Sequence, residues 1–229
     1  MPGPVLLAIE TSTSRGGVAV VALDLPDGRT AARTYDGTRG HAEDLLFAVE
    51  AALGDAGATV ADVTVVAVSV GPGSFTGVRV GVSTAKGLAL ARGVTLVAAT
   101  SLEIVAAARS IVAGTRVALL DAKRGEVYAA AFDHALETVG EPALLRVEAL
   151  PAWLASLPAP VVVLGDADLV DAGAAAAARA PSLPDPLVLA ALGVARLRAG
   201  RAIDAALLEP VYLRAPDVTL PASRGLPIG

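Results

Sequence analysis

Two periods alternate along the chain. Val5–Ile9 and Gly17–Leu23 are apolar runs rich in β-branched residues, with the polar turn Thr11–Gly16 between them, and predict a β-hairpin. Arg29–Tyr35 predicts a third strand. The pattern then turns helical over His41–Leu53, where Ala42, Leu45, Leu46, Val49 and Leu53 share an apolar face. Glu43, Asp44 and Glu50 lie on the other side with Phe47 among them, and Gly54 ends the helix. Val63–Val70 reads as a buried strand leading into Gly71-Pro72-Gly73, Phe75–Ala91 as a long helix, Val94–Ala98 as a strand and Ser101–Val112 as a helix.

A second hairpin follows in Arg116–Asp121 and Glu126–Phe132. VLLAIETSTSRGGVAVV and RVALLDAKRGEVYAAAF share a plan: an apolar strand ending in an acid (Glu10 or Asp121), a short polar turn with Arg-Gly, and a strand starting near Val. This predicts an internal repeat. Val161–Leu164 reads as a strand, Asp168–Ala180 and Pro186–Ala199 as helices, Glu209–Arg214 (EPVYLR) as a compact aromatic-containing segment, and Ala215–Gly229 as a loose tail rich in Pro and Gly. Alternating strands and helices predict an α/β architecture of two lobes, the second reduced. Residues 1–112 would form the first lobe, 113–214 the second, and 215–229 the tail.

Composition narrows the function classes. Of 229 residues, 54% are hydrophobic, enough for a sizeable core. The apolar runs fall far short of the ~20 residues that span a bilayer, so no membrane role is expected. The N-terminus has no basic region before its apolar run and reads as a first strand, not a signal peptide. The absence of cysteine excludes disulfides and thiol chemistry and fits a cytoplasmic protein. A net charge of −5 does not suit a chain that grips a nucleic acid backbone alone.

The GPGSFTG turn has the arrangement of an anion site, with a glycine turn opening onto a helix N-terminus. It equally suits a plain strand-to-helix turn with Ser74 as the cap. It is not a P-loop, because Gly-Lys-Ser/Thr is missing and Lys86 lies well inside the helix. The dinucleotide pattern fails too, because its third glycine position holds Thr76. On the helix, Gly77, Gly81 and Ala85 recur every four residues. Each mid-helix glycine costs ~1 kcal/mol against alanine, so a close backbone approach is expected, to this chain's own sheet or to a neighbour. Phe75, Arg79, Val82, Lys86 and Leu90 form a second stripe of bulky apolar and basic residues. Set beside the acidic helix carrying Phe47, it reads either as a charge-complementary docking face or as a solvated face with one stray aromatic. Glu10 and Asp121, at strand ends, either cap their turns or hold a metal–nucleotide complex. The two histidines, His41 and His134, are too far apart for a helical metal pair, and no G-x-S-x-G elbow is present.

AIETSTSRGGVAVV, SVGPGSFTGVRVGVSTAKGLALA, LLDAKRGEVYAAAF and EPVYLR occur in the order that resembles bacterial TsaB proteins, also known as YeaZ or glycoprotease-like proteins. The resemblance runs from about Val5 to Arg214, with residues 135–205 matching only in general pattern. It implies the actin/Hsp70/sugar-kinase fold and a part in making N6-threonylcarbamoyladenosine in tRNA. There a synthase makes threonylcarbamoyl-adenylate, a TsaD-type transferase moves the group to tRNA, and a TsaE-type ATPase joins the complex. In the transferase a His-x-x-x-His pair binds metal; the matching positions here are Ser101 and Val105, neither of which replaces imidazole as a ligand. The chain also stops before that relative's C-terminal metal-binding aspartate segment.

The resemblance therefore implies a non-catalytic dimerisation subunit with no cofactor of its own, ATP and a metal being expected in the partner subunits. It would reach tRNA only through the complex and form a homodimer in isolation. The expected partner interface comprises His41, Glu43, Asp44, Phe47, Phe75, Val78, Arg79, Val82 and Lys86. An ATP-binding kinase or ATPase of the same superfold is the alternative, with Glu10, Thr11, Ser12, Gly71, Gly73 and Asp121 as nucleotide-facing loops. A metallopeptidase, suggested by the glycoprotease name, lacks the histidines it would need.

Overall fold

Strands β1 (Val5–Glu10) and β2 (Arg15–Ala22) form the expected hairpin, with Leu7 opposite Val20 and Ile9 opposite Val18. β3 (Thr30–Asp36) adds antiparallel to β2. Helix α1 (His41–Asp55) leads to β4 (Val63–Ser69), which lies parallel to β1, and α2 (Phe75–Arg92) leads to β5 (Thr95–Ala99), parallel to β4. Parallel neighbours need such crossover helices. The sheet order is β3-β2-β1-β4-β5. All six residues of β1 are buried, as befits a central strand covered on both faces. The computed structural model describes residues 3–24, 29–37, 41–109, 114–169 and 176–214, with the backbone alone at residue 41 and residues 176–181.

After α3 (Ser101–Ala107) the plan repeats. β6 (Thr115–Lys123) and β7 (Glu126–Phe132) form a hairpin, and β8 (Ala143–Arg146) adds to β7. A short helix α4 (Leu150–Ala155) precedes β9 (Val161–Gly165), parallel to β6; β10 (Ala176–Pro181) lies parallel to β9 and α5 (Pro186–Arg198) closes the series. The order β10-β9-β6-β7-β8 is that of the first sheet. In each, the first strand pairs antiparallel with the second and parallel with the fourth. The repeat seen in two hairpins thus extends to whole sheets. Among the described residues the helices are shorter in the second: α4 has 6 residues where α1 has 15, and a 3₁₀ turn, Ala167–Leu169, follows β9 where the 18-residue α2 follows β4.

The second half departs most from expectation. The helix predicted over Asp168–Ala180 is a 3₁₀ turn at its start and strand β10 at its end. Alanine-rich sequence favours helix, but the ladder to β9 supplies hydrogen bonds that override a weak local preference. β8 and α4 carry too little periodicity to be read, although Pro sits in the first turn of α4, where it is tolerated. Helix α3 ends at Ala107, short of the predicted Val112; residues 110–113 and the predicted tail 215–229 lie outside the described residues. No helix among the described residues is long and apolar enough to cross a membrane.

The trailing helices change places. α3 follows the first sheet but packs Leu102, Val105 and Ala106 against Leu120, Tyr128 and Phe132 of the second. α5 follows the second sheet but packs Leu189 and Ala190 against Leu6, Ala8, Val65 and Val97 of the first. Where α3 and α5 meet, Arg196 pairs with Glu103 and donates to the Ala98 carbonyl. The other face of the first sheet is covered by α1 and α2, with Leu45, Leu53, Val78 and Val82 over Leu7, Ile9, Val66 and Val68.

Gly193 lets α5 lie close on β4, because a Cβ there would come within 2.7 Å of the Ala67 Cβ. Gly87, on the outer side of α2, has open space around it. Gly193→Val is therefore expected to lower the unfolding free energy by about 2–3 kcal/mol through overpacking. Gly87→Ala should raise it by about 0.5–1 kcal/mol, because only the helix-propensity term remains. Urea unfolding of the two variants tests the opposite signs.

Candidate functional site

Ser74 caps α2 by accepting from Gly77 N–H at 3.2 Å, and Gly93 ends the helix in a left-handed conformation (φ 68°). The small-residue stripe faces inward. Thr11 donates its hydroxyl to the Gly77 carbonyl at 2.7 Å, and a Cβ at Gly81 would overlap Thr11 Oγ1. Of the two readings left open, close approach to the chain's own first sheet is the one realised. That contact sets the rotation of α2. Val78 and Val82, at 2% and 4% exposure, turn inward with Ala85 and line the core. They therefore cannot present side chains to a partner, and this corrects their place in the expected interface. Phe75, Arg79, Ser83, Gly87 and Leu90 face out instead, with Leu90 83% exposed.

On α1 the correction runs the other way. Leu45, Ala48, Val49, Ala52 and Leu53 form the inner face, whereas Ala42 and Leu46, expected among them, are exposed. Leu46 (63% exposed) and Phe47 (71%) make an adjacent apolar pair beside exposed Glu43 and Glu50. Asp44 and Lys86 are half-buried, and the side chain of His41 lies outside the described residues.

Sequence reasoning missed Tyr212. The segment holding it returns to the first sheet, where Val211 N–H bonds to the Val70 carbonyl at 2.7 Å. Tyr212 then packs against Phe75 in a tilted arrangement, with ring centroids 5.6 Å apart and planes inclined at 40°, and its hydroxyl accepts from Arg79 Nε at 2.8 Å. The Arg79 guanidinium lies 3.7 Å from the Phe75 ring centroid. EPVYLR is visible as an aromatic segment, but no local signal says what it touches across 133 positions.

The strand-end loops are closed. Glu10, Thr11 and Ser12 are fully buried beneath the Gly71-Pro72-Gly73 turn. Ser74 N–H bonds to the Ser12 carbonyl at 2.6 Å, and a Cβ at Gly73 would overlap that same oxygen. Ser101 holds the turn from the other side, through its N–H to the Gly71 carbonyl (2.8 Å) and its hydroxyl to the Pro72 carbonyl. Val105 is buried against the second sheet. Glu10, Thr11, Ser12 and Gly71 thus do not face an opening, correcting the expectation of nucleotide-facing loops, and Gly73 is packed onto Ser12.

Asp121 does face an opening. It lines a cleft of about 640 Å³ between the sheets with Arg15, Thr34, Asp166, Asp168 and Asp185. Lys123 beside Asp121 holds its carboxyl below the ordinary 3.8, and Asp166 accepts from Asp121 N–H at 2.7 Å. Four carboxylates against one guanidinium make a poor electrostatic match for a polyphosphate. Among the described residues, no three His, Asp or Glu side chains converge to hold a metal ion.

Comparison with known proteins gives a consistent picture. The family model described as TsaD, tRNA N6-adenosine threonylcarbamoyltransferase, matches residues 34–158, just over half the chain. An uncharacterized protein of Mycobacterium tuberculosis is 35% identical over 179 residues, 78% of this chain and 77% of its own. The tRNA threonylcarbamoyladenosine biosynthesis protein TsaB of Escherichia coli is 36% identical over 125 residues, 54% of this chain and 52% of that one. The solved structure of YeaZ from Pseudomonas aeruginosa superposes with a TM-score of 0.75 at 28% identity, over 92% of this chain and all of that one.

Glu10 provides a test of the closed loops. Its Oε1 accepts from Ser12 N–H, but Oε2, Ser12 Oγ and Ser69 Oγ are buried with no partner among the described residues. Burial pushes the carboxyl above its ordinary 4.5, partly offset by Ser12. A raised folded-state value favours the protonated form, so stability is lost as pH climbs from about 4.5 through that raised value. Glu10→Gln keeps the Ser12 bond and cannot ionise. It should match the wild type near pH 4 and exceed it by a growing margin toward pH 8, read by urea unfolding across that range. A margin that does not grow would show that the carboxyl is already ionised at no cost.

Proposed function

The chain belongs to the TsaB (YeaZ) family, and from that premise we propose that it serves the making of threonylcarbamoyladenosine in tRNA as a non-catalytic subunit that docks onto a TsaD-type transferase. The observation that carries the docking role is the pair of outer helix faces. Leu46 and Phe47 on α1, with Phe75 and Leu90 on α2, leave large apolar side chains in water. Covering each is worth about 1.5–3 kcal/mol, and such a patch marks an interaction surface. α1 adds exposed carboxylates at Glu43 and Glu50, and α2 adds the cations Arg79 and Lys86, so the face carries both charges an interface needs.

Several features support a supporting role. By the sequence resemblance Ser101 and Val105 correspond to the histidine pair of the transferase; here Ser101 holds the glycine turn and Val105 lies in the core. The two sheets of shared topology fit the lobes of the actin/Hsp70/sugar-kinase fold, with residues 1–112 and 113–214 as lobes. In this reading the protein works in the cytoplasm, pairs with itself when alone, and meets a TsaE-type ATPase and tRNA through the assembled complex. ATP and metal belong to the partner subunits. The kinase or ATPase alternative gains no comparable support, since Glu10 and its neighbours are buried.

Leu46→Asp and Phe47→Asp should abolish co-elution with the TsaD-type partner in size-exclusion chromatography while leaving the unfolding midpoint unchanged. Both side chains already face solvent. A charge at Val82 would be no test, because it would unfold the core. Unchanged co-elution of both variants would sink the docking face. Full tRNA modification by the remaining subunits without this chain would sink its role in the pathway.

A further inference from the structure

Arg79 is held in an unusual way for an exposed cation. Its guanidinium stacks on Phe75 at 3.7 Å, and its Nε–H is taken by the Tyr212 hydroxyl at 2.8 Å. A guanidinium has five N–H donors, and the four on its terminal nitrogens have no partner among the described residues. The planar fork is held against two aromatic rings on a residue exposed to solvent. Less entropy is then lost when a carboxylate docks on it than for a free arginine.

The neighbouring helix holds the matching groups. Glu43 and Glu50 are exposed on α1, and neither forms an ion pair or a hydrogen bond among the described residues. The acids of α1 and the bases of α2 thus sit on one surface of one chain without neutralising each other. A two-fold axis through such a surface lays α1 of each copy on α2 of the other and satisfies both sets at once. A nucleic acid backbone would meet the same acids as repulsion, and the chain carries a net charge of −5.

We propose that Arg79, clamped between Phe75 and Tyr212, is the polar anchor of the docking face and pairs with a carboxylate on the acidic edge of α1 in a second copy of this chain. Tyr212 is its positioning residue. The proposal rests on the docking reading above and assigns that face its specificity-determining contact. Tyr212 also belongs to a segment that ties the face to the rest of the fold: Leu208 is buried in the first core, and Arg214 pairs with Glu126 of the second sheet.

The test is self-association of the full chain by sedimentation velocity at low and high salt, with an unfolding midpoint for every variant. Arg79→Glu should raise the dimer Kd about tenfold or more at low salt and reverse its salt dependence, because like charges then face each other and salt screens their repulsion. Adding Glu43→Lys or Glu50→Lys to Arg79→Glu should restore most of the affinity, because each symmetric interface then carries the pair reversed. Arg79→Gln replaces the charge-reversal variant should that one fail to fold, and should weaken the dimer in the same direction. Tyr212→Phe keeps the ring but loses the hydroxyl, and should weaken the dimer less than Arg79→Gln with its salt dependence reduced. Wild-type affinity in Arg79→Glu or Arg79→Gln overturns the anchor, while Phe47→Asp still reports separately on the docking face. Loss without rescue by either α1 reversal overturns the carboxylate pairing. A wild-type chain monomeric at every attainable concentration overturns the second-copy assignment.

Discussion

The hydroxyl of Thr11 against the backbone of α2 is the contact on which the rest of the structure turns. It bonds to the Gly77 carbonyl at 2.7 Å and fills the space where Gly81 would otherwise carry a Cβ. Two glycines inside a helix weaken it, each by ~1 kcal/mol, and here they let a strand end touch the helix backbone. Once that contact is made, the rotation of α2 has no freedom left. Val78, Val82 and Ala85 must go inward, and Phe75, Arg79 and Leu90 must go out. The outer face follows from the inner one.

The same contact shapes the loops above it. The glycine turn is pulled down onto Ser12, with Ser74 N–H bonding its carbonyl, and Ser101 anchors the turn from behind. Glu10 is sealed beneath, with one carboxyl oxygen unpartnered among the described residues. Its counterpart Asp121, at the end of the first strand of the second sheet, meets nothing of the kind. Among the described residues a short 3₁₀ turn follows β9 where α2 follows β4, and Asp121 is half-exposed on an acidic cleft. Two sheets of one topology thus give their equivalent acids opposite surroundings, because the first binds the backbone of a long helix at its strand ends and Asp121 lines a cleft.

The trailing helices join the sheets. Each leaves its own sheet and buries its apolar side on the other, with Arg196 on α5 reaching both Glu103 and the Ala98 carbonyl where they meet. Both partners of that ion pair are mostly shielded from water, so removing one would leave the other poorly satisfied. The segment after α5 makes a second tie, from Leu208 in the first core to Arg214 on β7. The outer faces of α1 and α2 therefore stand on two sheets that the described residues tie together both through α3 and α5 and through the segment after α5.

Much of this was legible along the chain. The hairpins, the strands leading out of α1 and α2 and the repeated acid-turn-Arg-Gly plan follow from period and turn chemistry, because strands buried on both faces must read as apolar runs. Gly77, Gly81 and Ala85 announced a close approach, though not to what. What the sequence could not decide were the matters set at a distance. β10 is alanine-rich and became a strand because β9 had an open edge. Val82 and Leu46 exchanged their expected places because helix rotation is fixed by what the small side touches, and a shift of one residue turns a helix by about 100°. Tyr212 found Arg79 only when a segment with no periodicity of its own was laid against the first sheet. The sequence by itself determined which elements exist and which family's motifs they carry. The tertiary structure decided which side of each helix meets water, because that depends on contacts between residues far apart in the chain.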